Sequence, residues 1–204
     1  MRLNPGVVVT LFYSLVRLAK RVVVSESIYI FTKNNYCLIV DSANIRIAVN
    51  DDLESINAIY NQAVLQKLTA DTVEISIEKR KGWFKTHDPK LYPVFVYAIE
   101  KKVVGWLSFS PYRYGRQALA ATAEISYYID KPFQQKGIGT ELINFAKAAA
   151  DGYNFKNLFA IILEQNDGSI KLMVNCEFVK WGFLPKVANF EGELQGHVYY
   201  GINL

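Results

Sequence analysis

Residues Gln134-Gln135-Lys136-Gly137-Ile138-Gly139 constrain this chain more than any other segment, because of what stands on either side of them. An alternating apolar run from Glu124 to Ile129 precedes them, and a helical pattern from Thr140 to Ala150 follows. A strand that enters a Gly-rich turn and leaves as a helix puts free backbone N–H groups at a helix N-terminus. Such a site suits a phosphate or pyrophosphate. A side chain at either glycine would hold the anion away from the backbone. The Gly-Lys-Ser/Thr ending of a nucleoside-triphosphate loop is missing, as is the three-glycine spacing of dinucleotide-binding turns. Two glycines before a helix can equally be a plain turn. The order of the later segments adds weight to the anion site. A buried-looking strand, Leu158 to Leu163, is followed by Asn166, Ser169, Ile170 and Leu172, which open another helix. That helix runs to Glu177-Phe178, and strands follow at Phe178 to Phe183 and Val198 to Ile202.

Upstream, Ile45, Ile47 and Val49 alternate as in a first strand. Asn50-Asp51-Asp52 can cap a helix in which Leu53, Ile56, Ile59, Tyr60 and Val64 share one face. A second helix is expected from Ile77 to Thr86. Pro93 to Ile99 and Val103 to Ser110 read as a hairpin around Glu100-Lys101-Lys102, and a loop from Pro111 to Ala120 leads back to the strand before the glycine turn. Residues 1–44 stand apart as an N-terminal extension. Val7 to Val16 is apolar but too short to span a bilayer, and Arg17, Lys20 and Arg21 follow at once. No small-x-small cleavage site makes it a signal peptide. A helix from about Val7 to Val24 and an apolar strand from Ile28 to Val40 are expected there. The extension could be peripheral to the main domain, a membrane-surface helix or a dimer-contact arm.

The 204 residues suffice for one domain, 45–204, plus this appendage. The apolar fraction of 51% and charged fraction of 21% are globular values. Residues 1–44 hold five Lys/Arg against two Asp/Glu, so +3 of the net +4 lies in the extension and the rest offers no nucleic-acid surface. Cys37, Cys176, His87 and His197 show no zinc spacing, so no metal is expected, and two sparse cysteines fit a reducing cytoplasm.

Further segments occur in a telling order: Ile59-Tyr60-Asn61-x-Ala63-Val64, Trp83-Phe84, Tyr92-Pro93-Val94, Val104-Gly105-Trp106, Ser110-Pro111-Tyr112-Arg113 and Thr122-x-Glu124-x-Ser126-x-Tyr128. With the glycine turn, they make residues 45–204 resemble the phosphinothricin N-acetyltransferase-like branch of the GNAT superfamily. The resemblance implies a mixed α/β fold with a splayed, mostly antiparallel central sheet flanked by helices. It also implies transfer of an acetyl group from acetyl-CoA to the primary amine of an amino-acid-like small molecule, without a metal, in a homodimer. Trp181, Phe183, Phe190, Tyr199 and Tyr200 are the aromatic residues expected at the dimer contact.

Position by position, the resemblance assigns the pyrophosphate loop to Gln135, Lys136, Gly137, Ile138, Gly139 and Thr140, with Gln134 leading it. Tyr127, Tyr128 and Ile129 match the strand whose backbone pairs with the pantetheine arm. Asn166 matches a side chain on that arm, and Glu124 matches the general base. Arg113, Arg116 and Thr122 fall in the segment that lines the acceptor pocket, where the two arginines could grip a carboxylate. Two residues depart from the pattern. Met173 stands where a Tyr or His would protonate the departing thiolate, and Glu177 replaces a Gly before Phe178. A thiol of pKa ~8.5 can still leave as thiolate. Two other functions stay open: acetylation of protein N-termini, and a non-catalytic acyl-CoA-binding module that Met173 would suit.

Overall fold

The computed structural model describes residues 20–24, 27–31, 37–40 and 44–204. The chain divides at Asn44/Ile45 into two compact units. The first contains an antiparallel three-stranded sheet: β1 (Lys20–Val24), β2 (Ser27–Phe31) and β3 (Cys37–Val40), with Val22 opposite Tyr29 and Ile28 opposite Val40. The expected helix up to Val24 is therefore corrected at its end. Three consecutive β-branched valines, Val22 to Val24, favour a pleated strand over a helix. The remainder of that expected helix lies outside the described residues. The single strand expected from Ile28 to Val40 is two strands paired with each other.

The second unit carries a seven-stranded sheet flanked by helices. Its strands are β4 (Ile45–Ile47), β5 (Val94–Ile99), β6 (Lys102–Pro111), β7 (Thr122–Ile129), β8 (Asn157–Leu163), β9 (Val179–Phe190) and β10 (Glu193–Asn203), and their order across the sheet is β4-β5-β6-β7-β8-β10-β9. All neighbours are antiparallel except β7 and β8. The helices are α1 (Leu53–Leu65), α2 (Ile77–Lys85), α3 (Ile138–Ala150) and α4 (Asp167–Asn175).

Both faces of the central strands are covered, so β5 reads as a continuous apolar run. One face packs Val94, Val96 and Trp106 against Leu53, Ile56 and Ile59 of α1. On the other, the Phe95 ring meets Phe145 of α3 edge-on at 4.9 Å, and the Tyr97 hydroxyl donates to Glu141. The β5–β6 turn places Glu100 and Lys101 at positive φ, which matches the twist of a tight hairpin. Asp52, just before α1, is held by a bidentate pair with Arg46 at 2.7 and 2.8 Å and by the Val49 amide at 2.8 Å. Burial alone would raise its pKa. The Arg46 and Val49 bonds outweigh burial and hold the carboxyl below its usual range.

The feature that positions the site is the parting of β7 from β8. The two strands pair only from Thr122/Asn157 to Glu124/Phe159. Beyond Glu124, β7 has β6 on one side and no strand on the other, while β8 continues against β10. The sheet therefore opens into a V with Glu124 at its apex.

Candidate active site

The glycine turn lies at one mouth of the V. A short 3-10 turn, Lys131–Phe133, leads from β7 into the segment, and Gln134 folds back so that its Nε2 donates to the Ile129 carbonyl at 3.0 Å. Gln135 and Gly137 both adopt positive φ, 59° and 87°. Gly137 is the N-cap of α3, and no side chain caps that helix. The first hydrogen bond of the turn runs from the Glu141 amide to the Gly137 carbonyl at 3.0 Å, leaving the amides of Ile138, Gly139 and Thr140 without a partner inside the helix. A Cβ built on Gly137 would meet nothing within 4 Å, so the space there is open to a ligand. Gly139 is glycine for a different reason: a Cβ there would lie 2.7 Å from Leu172 of α4 and 3.2 Å from Ile129. One glycine shapes the turn, and the other lets α3 approach α4.

This helix end faces a cleft of about 540 Å³. The unpaired edge of β7 runs along one wall, from Ile125 to Ile129, and Ala160 to Ile162 of β8 form the opposite wall. Asn166 stands at the far rim as N-cap of α4, its Oδ1 accepting from the Ser169 amide at 3.1 Å. Tyr127, Tyr128, Ile129, Gln134, Gln135, Gly137, Gly139, Thr140 and Asn166 all line this cleft. The side chains of Lys136 and Ile138 do not. Lys136 is exposed with its Nζ 5.1 Å from the Phe133 ring, and Ile138 is buried in the core. Uncapped amides, open space beside Gly137 and a bare strand edge are what a long, phosphate-bearing ligand with amide groups requires.

A second cavity, about 460 Å³, lies on the other side of the same opening. Leu68, Ser126, Tyr128 and Ile161 line both, so the two spaces meet at the V. Glu124 lines the second cavity from the apex, half-buried, and burial raises its pKa above the ordinary carboxylate range. His197 of β10 lines it too, and burial lowers its pKa. Part of the wall is the segment after α1. Asn57 and Asn61 both donate to the Ile75 carbonyl, at 2.8 and 3.0 Å, and the Ile75 amide donates back to Asn61 at 2.9 Å. The Tyr60 hydroxyl donates to Asp71, and the Tyr128 hydroxyl donates to Thr69 at 3.3 Å. Burial raises the pKa of both tyrosines, so both stay protonated donors.

The remaining expected residues fall elsewhere. Arg113 and Arg116 are exposed on the loop after β6 and line neither cavity; Arg113 lies over the Tyr112 ring at 5.6 Å. Thr122 accepts from Asn157 across the parallel pair at 3.1 Å and also lines neither. Met173 is fully buried and outside both linings, a core residue of α4. The second cavity also holds residues that the sequence reading did not assign to a site: Thr69, Asp71 and Arg80, and Tyr60, which it placed only on a helix face and in a family segment. The sequence puts Arg80 one helical turn before Trp83, on the same face, but carries no sign of its burial.

Comparison with known proteins agrees with this geometry. Residues 54–178 match the Acetyltransferase (GNAT) family. The chain is 36% identical over 151 residues to the Bacillus subtilis (strain 168) protein named "Putative phosphinothricin acetyltransferase YwnH", covering 73% of this chain and 91% of that one. It is 30% identical over 145 residues to the L-amino acid N-acyltransferase MnaT of Escherichia coli (strain K12), covering 71% and 84% of the two chains. A phosphinothricin acetyltransferase from Sinorhizobium meliloti, solved in complex with AcCoA, superposes with a TM-score of 0.73 at 26% identity, over 78% of this chain and 87% of that one. The splayed sheet, the amide-lined turn and the matched residues together show that this chain belongs to the GNAT family of acetyltransferases.

Proposed function

We propose that the protein transfers the acetyl group of acetyl-CoA to the primary amine of a small amino-acid-like acceptor, with the coenzyme in the first cavity and the amine in the second. The observation that carries this reading is the meeting of the two cavities at Ser126, Tyr128 and Ile161, next to Glu124. The relatives named "Putative phosphinothricin acetyltransferase YwnH" and "L-amino acid N-acyltransferase MnaT" support the acceptor class. The second cavity is also of small-molecule size.

Acetyl-CoA supplies an activated thioester. The chain holds its diphosphate on the amides of Ile138, Gly139 and Thr140, and its pantetheine arm along the free edge of β7. Glu124 removes a proton from the acceptor ammonium, directly or through one water, so that the neutral amine can form the N–C bond as the C–S bond breaks. The raised pKa of Glu124 makes it a stronger base once ionised, and it places the acid limb of the pH–rate profile above the usual carboxylate range. The β7 backbone between Ser126 and Tyr128 supplies one N–H donor to the developing oxyanion. Met173, buried in the core, supplies no proton, so the sulfur leaves as thiolate, and the second N–H proton, shed as the amide forms, passes to that thiolate or to water. Release of free CoA with a panel of L-amino acids, phosphinothricin, methionine sulfone and short peptides tests this reading. Turnover with the small acceptors supports it; turnover with peptides alone overturns it.

The same reading includes a two-fold homodimer. β9 is the edge strand of the sheet and exposes Trp181, Phe183, Leu184 and Val187, an apolar face that a lone edge strand should not leave open. Phe190, expected on this surface from the sequence, is instead buried in the core. Light scattering at tens of micromolar should give twice the chain mass, and Trp181→Glu should shift it toward the monomer. A wild-type monomer under these conditions would remove the dimer. A cytoplasmic location belongs to the same proposal and is supported by the sparse cysteines, of which Cys176 is a buried free thiol. Among the described residues no helix is long and apolar enough to cross a membrane.

A further inference from the structure

A buried cation with no ion-paired carboxylate is costly, and this fold contains one in the acceptor cavity, where Asp71 attracts it only from beyond ion-pair distance. Arg80 of α2 is 4% exposed and lines the same cavity as Glu124. Its guanidinium carbon lies 4.3 Å from the Tyr60 ring centroid, 4.7 Å from Trp83 and 5.7 Å from Trp106. Its Nε donates to Asn57 Oδ1 at 3.2 Å. Among the described residues no carboxylate forms an ion pair with it. Asp71, in the same cavity, accepts instead from the Tyr60 hydroxyl.

The aromatic cage explains how the charge survives but not what it is for. Ring faces attract a guanidinium through its face and leave its in-plane N–H groups free. Asn57 takes the Nε–H, and neither Nη donates to any described residue. That leaves a planar fork of donors, the arrangement that binds a carboxylate in bidentate fashion. We propose that Arg80 binds the α-carboxylate of the acceptor. This assignment rests on the amine-acceptor reading given above. An α-amino acid is a zwitterion. Four charged side chains line the cavity: Asp71, Glu124, Lys79 and Arg80. Asp71 is taken by the Tyr60 hydroxyl and Lys79 is exposed, which leaves Glu124 for the ammonium and the buried Arg80 for the carboxylate. Tyr60, Trp83 and Trp106 form a rigid apolar wall that keeps the guanidinium in one pose and raises the strength of its pairing by excluding water. The protein thereby selects amino acids over simple amines, with a residue on α2 rather than with the exposed Arg113 and Arg116.

The test compares an L-amino acid acceptor, such as methionine sulfone, with its α-carboxamide. Both carry the same side chain, but the carboxamide lacks the charge that Arg80 would meet. Its amine is also less basic and so less protonated at neutral pH, which favours the carboxamide, so a preference for the carboxylate cannot come from the amine. The wild-type protein should favour the carboxylate in kcat/KM by at least about 30-fold, the range expected when one partner of a desolvated charge pair is lost. Arg80→Met, which keeps an apolar stem but removes the guanidinium from the rings, should abolish that preference. Arg80→Lys, which keeps the charge but not the fork, should retain part of it. Calorimetric binding of acetyl-CoA reports whether each variant is folded. A wild-type protein that releases CoA with both acceptors equally overturns the assignment without any variant. Preference retained in Arg80→Met, or lost instead in Arg113→Met or Arg116→Met, also overturns it. No CoA release with any small amine is a different result; it removes the acceptor reading itself.

Discussion

Glu124→Gln is expected to lower kcat about 10²-fold at pH 7, the usual worth of a positioned general base, and to leave the affinity for acetyl-CoA near that of the wild type. The carboxylate sits at the apex where β7 leaves β8, facing the second cavity, while the glycine turn lies at the far end of the first. Glutamine keeps the shape and the hydrogen-bonding capacity but cannot take a proton. The defect should therefore depend on pH. Above the pKa of the acceptor the free amine is already abundant, and the loss should shrink toward a few-fold. In the wild type, activity should rise with pH through the Glu124 pKa, which burial holds above the ordinary value, because only the ionised form is a base. Steady-state kinetics of both proteins from pH 5 to 10 provide the check. Wild-type turnover in Glu124→Gln at pH 7 would take this residue out of the mechanism.

Gly137→Val should weaken acetyl-CoA binding at least ~10-fold, about 1.4 kcal/mol, measured by calorimetry. Two effects act together. The residue sits at φ 87°, a conformation that a β-branched side chain strongly disfavours. Its Cβ direction meets no protein atom within 4 Å, so the added methyl groups would enter the space assigned to the diphosphate. Because that space is empty of protein, the fold loses no packing, and the variant should remain folded. Gly139→Val should behave differently. It would collide with Leu172 and Ile129, so its loss should appear as instability of the α3–α4 contact before it appears as lost affinity. Unchanged affinity in a folded Gly137→Val protein would disprove the diphosphate assignment.

What could be read from the sequence was largely local. The glycine turn, Asn166 as a helix cap and the hairpin at Glu100-Lys101 each depend on a few adjacent residues whose chemistry dictates the backbone. The helix after the turn begins at Ile138 instead of Thr140, because Gly137 itself supplies the left-handed cap. β9 extends to Phe190, well beyond the expected Phe183, across Gly182 and Pro185, which normally end a strand. An edge strand tolerates them, and the pairing with β10 is irregular there, with Leu184 opposite His197 and Ala188 opposite Gln195. That context is tertiary and leaves little trace in the order of residues.

The acceptor side was less legible for a related reason. Arg113 and Arg116 stand close in sequence to Glu124, yet the loop after β6 carries them to the surface. Arg80 is far from Glu124 in the chain, on a helix so rich in charge that one arginine attracts no notice. Only the fold brings α2 against Trp106 and so converts a charged residue into a buried one.

The central claim is that acetyl transfer occurs where the two cavities meet at the parting of β7 and β8. Mass spectrometry of an incubation of the protein with acetyl-CoA and methionine sulfone tests it most directly. The account predicts N-acetyl methionine sulfone and free CoA in equal amounts, both formed about 10²-fold more slowly by Glu124→Gln at neutral pH. Hydrolysis of acetyl-CoA without acetylated amine, or tight coenzyme binding with no turnover for any small amine, would contradict it.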